Sequence, residues 1–367
     1  MIRELIQGQF MVIRVSNSHE AQLFCYSFNA EKLKRHLYYI LTCSALLASA
    51  LSLQAQTYPT KKEQRQMLQE EHTLLKGMRP GLQHTQMLAV RAGINGNTQP
   101  LQQIRQSRNV PPSLPKGVDT TYVTPTLCLF RPKTSTTKPR PVLLYLHGGG
   151  WCFGSINSCA RFCANVALAA NCCVVALDYR LSPEYPFPTP LSDCQEAFRF
   201  IKSHATEWGA DSSRVSIGGD SAGGNLAIAC AMSVSGVHSV IPIYPVTELF
   251  TTLTASWNAY AKGYGDDAEL LEAFNEAYAR SEAHHPLVSV GTAPDSLLQR
   301  LPPMLLISAG HDILFDQGRN FVMRLQKLSK QVDYHVFPTA THLFITVNGQ
   351  PTAHHKAIES VARFLNK

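Results

Sequence analysis

Short apolar runs separated by amphipathic stretches dominate the chain from residue 140 onward. Residues 141–146, 173–177, 214–217, 240–243, 304–307 and 334–337 read as strands. Most are continuously apolar rather than alternating, as expected for strands buried on both faces of a parallel sheet. Between them, residues 156–170, 190–207, 222–232, 317–328 and 353–365 read as helices. In 190–207, for example, Cys194, Ala197, Phe198 and Ile201 fall on one side. This alternation predicts an α/β fold, with a mostly parallel central sheet covered by helices on both faces. Before it, residues 121–130 are β-rich and 133–141 form a polar, Pro-flanked turn. Two stretches break the rhythm. Residues 56–115 are polar and Gln-rich with helical spacing in places, a helical arm ended by Pro111, Pro112 and Pro115. Residues 247–285 read as an inserted helical segment.

The N-terminal residues follow a different pattern. Lys32, Lys34 and Arg35 precede residues 37–51, a run rich in Leu and Ala without a formal charge, and Ala55 offers a small residue for cleavage. That order is the pattern of an export signal over 32–55, and the run is too short for a permanent membrane span. Residues 1–31 have no clear period and are read as an upstream-extended gene model. On this reading the protein is exported, to a periplasmic or extracellular location.

Composition narrows the possibilities. Apolar residues make up 45% of the 367 and charged residues 16%, which excludes a disordered chain. The formal charge of +7 is scattered along the sequence rather than gathered in a stripe, so no nucleic-acid partner is expected. Cys172, Cys173 and Cys230 lie in apolar runs and are expected to be free and buried. Cys152, Cys159 and Cys163 cluster locally and are the better candidates for a bridge. They lack the CxxC pair of a zinc site, and no metal or organic cofactor is called for.

The chemistry concentrates at strand ends. Gly219-Asp220-Ser221-Ala222-Gly223 follows one strand and opens a helix, the context of a nucleophile elbow that holds a serine up at the sheet edge. His147-Gly148-Gly149-Gly150 directly follows the strand at 141–146. Bare backbone there lets N–H groups approach a ligand, so Gly148 and Gly149 would join Ala222 as oxyanion donors. A serine nucleophile needs a base, and the base a carboxylate. Asp312 and His342 follow later strands in the required chain order. Asp316 is the competing acid, better suited to capping the next helix. His311, His354 and His355 compete as bases, the last two expected to face solvent. Glu184 is read as a structural loop contact.

The stretches HGGGW (147–151), LDYRLSPEYPFP (177–188), IGGDSAGGNLA (217–227), HPLVS (285–289) and AGHDILFDQG (309–318), with the loop ending in His342, run in one order. Together they resemble the hormone-sensitive-lipase-like family of α/β-hydrolases. The resemblance implies an α/β-hydrolase domain over 116–367, with 56–115 and 247–285 forming a helical cap. It also implies Ser221 as nucleophile, His342 as base and Asp312 as its partner. The chain departs from the family pattern at Ile313 and Phe315 and at Leu343 after the base, changes that reshape the pocket wall. The expected function is a serine esterase acting on small-molecule or carbohydrate esters with short acyl groups. A non-catalytic ligand-binding protein on this fold and a serine peptidase are the alternatives. The intact triad argues against the first, and the HGGG and GDSAG pair against the second. The number of subunits is not legible.

Overall fold

The computed structural model describes residues 4–7, 10–13, 24–27, 59–249 and 252–367. By internal contacts the chain divides into two units, Met1–Gln56 and Thr57–Lys367. In the first, strands β1 (Glu4–Gln7), β2 (Phe10–Ile13) and β3 (Phe24–Ser27) form a small antiparallel sheet in that order. The export signal read over 32–55 lies outside the described residues.

In the second unit, the polar arm folds into three helices, α1 (Lys61–Gly77), α2 (Leu82–Ile94) and α3 (Gln99–Arg108). A capping box at Thr60 and Glu63 starts α1, supplying acceptors that the first turn lacks. Next comes the hairpin β4 (Val118–Thr124) and β5 (Leu127–Pro132), then β6 (Arg140–Leu146), α4 (Ile156–Ala170), β7 (Cys173–Leu177) and α5 (Thr189–His204). The chain continues through β8 (Ala210–Asp220), α6 (Ala222–Ser233) and β9 (Val240–Ile243). The insertion supplies α7 (Ala255–Tyr260) and α8 (Ala268–Ala279), and a short α9 (Asp295–Leu298) leads back to the sheet. It ends with β10 (Met304–His311), α10 (Phe315–Lys327), β11 (Val332–Thr341) and α11 (Pro351–Leu365).

The eight strands order as β11-β10-β9-β8-β6-β7-β5-β4. All neighbours from β11 through β7 pair in parallel, and the β4–β5 hairpin joins antiparallel at one edge. Alternate residues of β6 feed two separate cores. Val142, Leu144 and Leu146 face the layer of α5, α6 and α10, while Leu143 and Tyr145 face that of α4 and α11. This is why strands such as 141–146 read as unbroken apolar runs.

Three expectations change. Cys152, Cys159 and Cys163 are buried free thiols, not bridged. Cys159 and Cys163 lie one turn apart on α4, where Cβ atoms sit about 5–6 Å apart, beyond disulfide reach. Asp316 does not cap α10, because Leu314 occupies that position. Asp316 instead accepts from Ser256 N at 2.8 Å and pairs with Arg319 at 3.0 Å, holding the start of α7. His354 turns inward, 3.2 Å from the Phe344 carbonyl and edge-on to Phe162, because α11 packs on α4. Among the described residues no helix is long and apolar enough to cross a membrane.

Candidate active site

β8 ends at Asp220 and α6 begins at Ala222, leaving Ser221 alone to turn the chain. Ser221 has φ 54° and ψ −118°, a backbone region that a side chain rarely adopts. The turn is tight because the glycines two positions to either side lack side chains: a Cβ on Gly219 or on Gly223 would collide with the Leu146 carbonyl. Ser221 N donates to Ile243 O at 2.9 Å, which fixes the elbow to β9.

β10 and β11 run parallel to β9 and β8, so the residues that follow them reach the same sheet edge. Asp312 and His342 arrive there directly after the two strands. His342 Nδ1 is 2.7 Å from Asp312 Oδ2, and its Nε2 is 2.8 Å from Ser221 Oγ. The second oxygen of Asp312 accepts from Leu314 N at 2.8 Å, so the carboxylate cannot swing away from the ring. Tyr244 packs against the imidazole at 4.4 Å between ring centroids. Thr341 is anchored by Gln350 Oε1 through its N–H and hydroxyl, at 3.1 and 2.8 Å. Ser221, His342 and Asp312 are only 6%, 4% and 1% exposed, so the three act in a poorly solvated setting where charge interactions are strong.

His342 has two further acidic neighbours. Burial alone would depress its imidazole, but Asp312 and Asp266, with Asp220 behind them, push it up to about 9. Asp266 stands in the loop before α8, and its Oδ2 is 3.2 Å from His342 Nε2. Burial raises this carboxyl to about 6, against the attraction of His342. Asp220 is also raised to about 6 by burial, although Tyr145 Oη and Gly148 N both donate to it, at 2.9 and 3.1 Å.

These hydrogen bonds alter the expected oxyanion set. Gly148 N–H is committed to Asp220 Oδ1 and so is not free for a ligand. The N–H groups of Gly149 and Ala222 make no hydrogen bond among the described residues. Gly149 has φ +114°, and a Cβ there would sit 2.6 Å from the Phe153 carbonyl, so glycine is required. Gly148 thus braces the loop while Gly149 and Ala222 point free donors.

A cleft of about 560 Å³ opens over Ser221 and His342. Its floor is the sheet edge. The arm contributes Leu82, Gln83 and Arg108 to its walls, and the insertion Asp266, Leu271 and Phe274. Of the insertion's aromatic residues, Phe274 meets Phe153 edge-on at the cleft, while Tyr278 stacks on Trp151 at 4.2 Å in the core. His311 does not enter the site; its Nδ1 is 2.6 Å from Glu71 on α1. Glu184 is held bidentately by Arg105 of α3, at 2.7 and 2.9 Å. Asp266 and Arg108 were not singled out in the sequence, since neither lies in a motif.

A family model described as alpha/beta hydrolase fold matches residues 143–346. Lipase 2 of Moraxella sp. (strain TA144) is 33% identical over 240 residues, covering 56% of this chain and 54% of that protein. The ethyl acetate hydrolase of Pseudomonas putida is 34% identical over 209 residues, covering 55% and 65%. The chain therefore spans between half and two thirds of the length of these relatives. Among solved structures, an ester hydrolase from the metagenome of Lake Arreo is 28% identical with a TM-score of 0.67, covering 84% of this chain and 98% of that one.

Proposed function

The chain belongs to the α/β hydrolase fold family, and from that premise we propose that it is a serine carboxylesterase. The observation that carries the reading is the unbroken line Asp312 Oδ2–His342 Nδ1 and His342 Nε2–Ser221 Oγ, at 2.7 and 2.8 Å, ending at a strained elbow. Relatives named esterase, carboxylesterase and lipase support it.

In the proposed mechanism Ser221 Oγ attacks the ester carbonyl as His342 Nε2 takes its proton. Asp312 holds the ring tautomer and stabilises the imidazolium. The carbonyl oxygen, now negative, is received by the N–H groups of Gly149 and Ala222, helped by the N-terminal end of α6. Nε2 returns the proton to the departing alcohol. Water then attacks the acyl-enzyme by the same route and releases the acid. The alternative of a ligand-binding protein is less well supported, because that role needs no aligned nucleophile and base.

The walls added by arm and insertion favour short acyl groups, acetyl to about hexanoyl. The proposal includes an acetylated carbohydrate as a natural substrate, and export supported by the basic residues and apolar run over 32–51. Hydrolysis of p-nitrophenyl esters from acetyl to dodecanoyl tests the activity, with Ser221→Ala as control. We expect kcat/KM to peak at six carbons or fewer and the variant to lose activity by about 10⁴-fold or more while staying folded. Equal hydrolysis by the variant would refute the mechanism, and a maximum at twelve carbons the short-acyl assignment.

A further inference from the structure

Asp266 and Arg108 stand in the cleft, and the proposed triad mechanism assigns them no role. Asp266 Oδ2 lies 3.2 Å from His342 Nε2. In ester cleavage that nitrogen must hand its proton to the departing alcohol oxygen. An acceptor so close to Nε2, and outside the Ser221 Oγ bond, marks where the alcohol half of an ester must enter. The loop carrying it is clamped from the arm. Gln83 donates to the Gly265 carbonyl and accepts from Asp267 N at 3.1 Å.

Arg108, at the end of α3, lines the same cleft. Its guanidinium sits 5.2 Å from the Phe153 ring centroid and makes no hydrogen bond or ion pair among the described residues. Burial lowers its pKa, and Asp266 opposes that fall, so the two charges sense each other across the space. Yet they form no ion pair: Asp266 is paired with His342.

Asp266 and Arg108 give the cleft an acceptor and a donor, of opposite charge, held apart. A cation would meet Arg108, and an anion would meet Asp266 and Asp220. A neutral group that both donates and accepts satisfies the pair at no cost in charge. A hydroxyl beside the ester oxygen donates to Asp266, and a further hydroxyl accepts from Arg108.

We propose that Asp266 and Arg108 are specificity-determining residues that read the alcohol half of the substrate and select esters of polyols over esters of simple alcohols. The inference rests on the esterase reading and names the alcohol that the same site takes. Asp266 selects the first hydroxyl and Arg108 the second. Esters of simple alcohols exclude water from the cleft without offering either group a new hydrogen-bonding partner, and lose binding accordingly.

The test compares kcat/KM for propyl acetate, 2-hydroxyethyl acetate, 2-methoxyethyl acetate, glyceryl 1-acetate and acetylcholine. The acyl group is constant, so only the alcohol is read. We expect 2-hydroxyethyl acetate to exceed propyl and 2-methoxyethyl acetate by about tenfold or more, with glyceryl acetate higher still. In Asp266→Asn and Asp266→Ala the ratio of hydroxyethyl to propyl should fall toward one. Ratios within one variant cancel any change in turnover caused by the contact with His342. In Arg108→Met only the gain from hydroxyethyl to glyceryl should disappear. Equal rates on propyl and hydroxyethyl acetate in the unmodified protein would overturn the proposal while leaving the esterase reading intact. A preference for acetylcholine would also overturn it, since that ester brings charge without a donor. Failure to hydrolyse any of the five, together with p-nitrophenyl ester hydrolysis no faster than that of Ser221→Ala, would remove the esterase reading itself.

Discussion

His342 can accept the Ser221 proton only when its ring is neutral. Burial favours that form, but the carboxylates of Asp312 and Asp266 outweigh it and raise the ring to about 9. kcat/KM should therefore climb with pH by about tenfold per unit below that value and level off above it. Asp266→Asn removes one of the negative charges, so the climb should shift to lower pH, while Asp266→Ala does the same without a hydrogen-bonding group. A pH–rate profile unmoved by either variant would mean that Asp266 does not act on the ring. The two nearby acids should separate cleanly. Asp312→Asn should cost on the order of 10⁴ in kcat by imposing the wrong tautomer. Asp316→Asn should cost far less, because that carboxylate binds Ser256 and Arg319 rather than the ring. Ser221, Asp312 and His342 were legible in the sequence because each follows a strand whose apolar run is unmistakable. Asp266 and Arg108 were not, since only folding of the arm and insertion brings Asp266 to the ring and Arg108 to the cleft. Gly148 shows a different limit: a glycine run tells where N–H groups are exposed but not which acceptor has already claimed one.

The strands of the parallel sheet were the most readable elements, and three of them were longer than their apolar cores. β8 extends to both sides of 214–217, and β10 and β11 run on to His311 and Thr341, because pairing continues through polar positions where periodicity gives no signal. The arm was legible as helical but not as three helices, and a place in the cap was implied only by the family resemblance. What fixes it is a polar contact that no pattern announces. Arg105 of α3 binds Glu184 with two nitrogens and also donates to the carbonyls of Cys152 and Ser182, at 2.8 and 2.7 Å. Its side chain is 18% exposed, and that of Glu184 25%, so the pair is better shielded than a surface bridge. Arg105→Ala should therefore destabilise the protein by about 1–3 kcal/mol, the range for losing charged hydrogen bonds to partly buried acceptors. Glu184→Gln, which keeps the two carbonyl contacts, should cost less. Urea denaturation of the three proteins checks the order, and an Arg105→Ala midpoint equal to the parent's would show that the arm is held by its apolar face alone.

The cleft over Ser221 is assembled from segments far apart in sequence. α2 packs along α8, with Arg91 and Glu276 at 3.0 Å and His84 and Glu269 at 3.0 Å across the joint. These pairs are exposed and contribute little singly. The stronger tie is Gln83, whose amide spans the loop that carries Asp266 by bonding to Gly265 and Asp267. Arm and insertion therefore form one roof, and the polar composition that obscured the arm in the sequence is what lets it bind a loop rather than bury in a core. If the roof sets the size of the cleft, cutting this tie should loosen it without touching the reacting groups. Gln83→Ala is expected to raise KM for acetyl and butyryl esters by about fivefold or more, the loss of one or two net hydrogen bonds. kcat should change less, because Ser221, His342 and Asp312 are held by the sheet. Longer acyl esters, which gain room as the roof opens, should lose less, moving the chain-length optimum upward. A Gln83→Ala protein with the parent's KM and the parent's optimum would show that the sheet edge alone, rather than the joined arm and insertion, sets what the cleft admits.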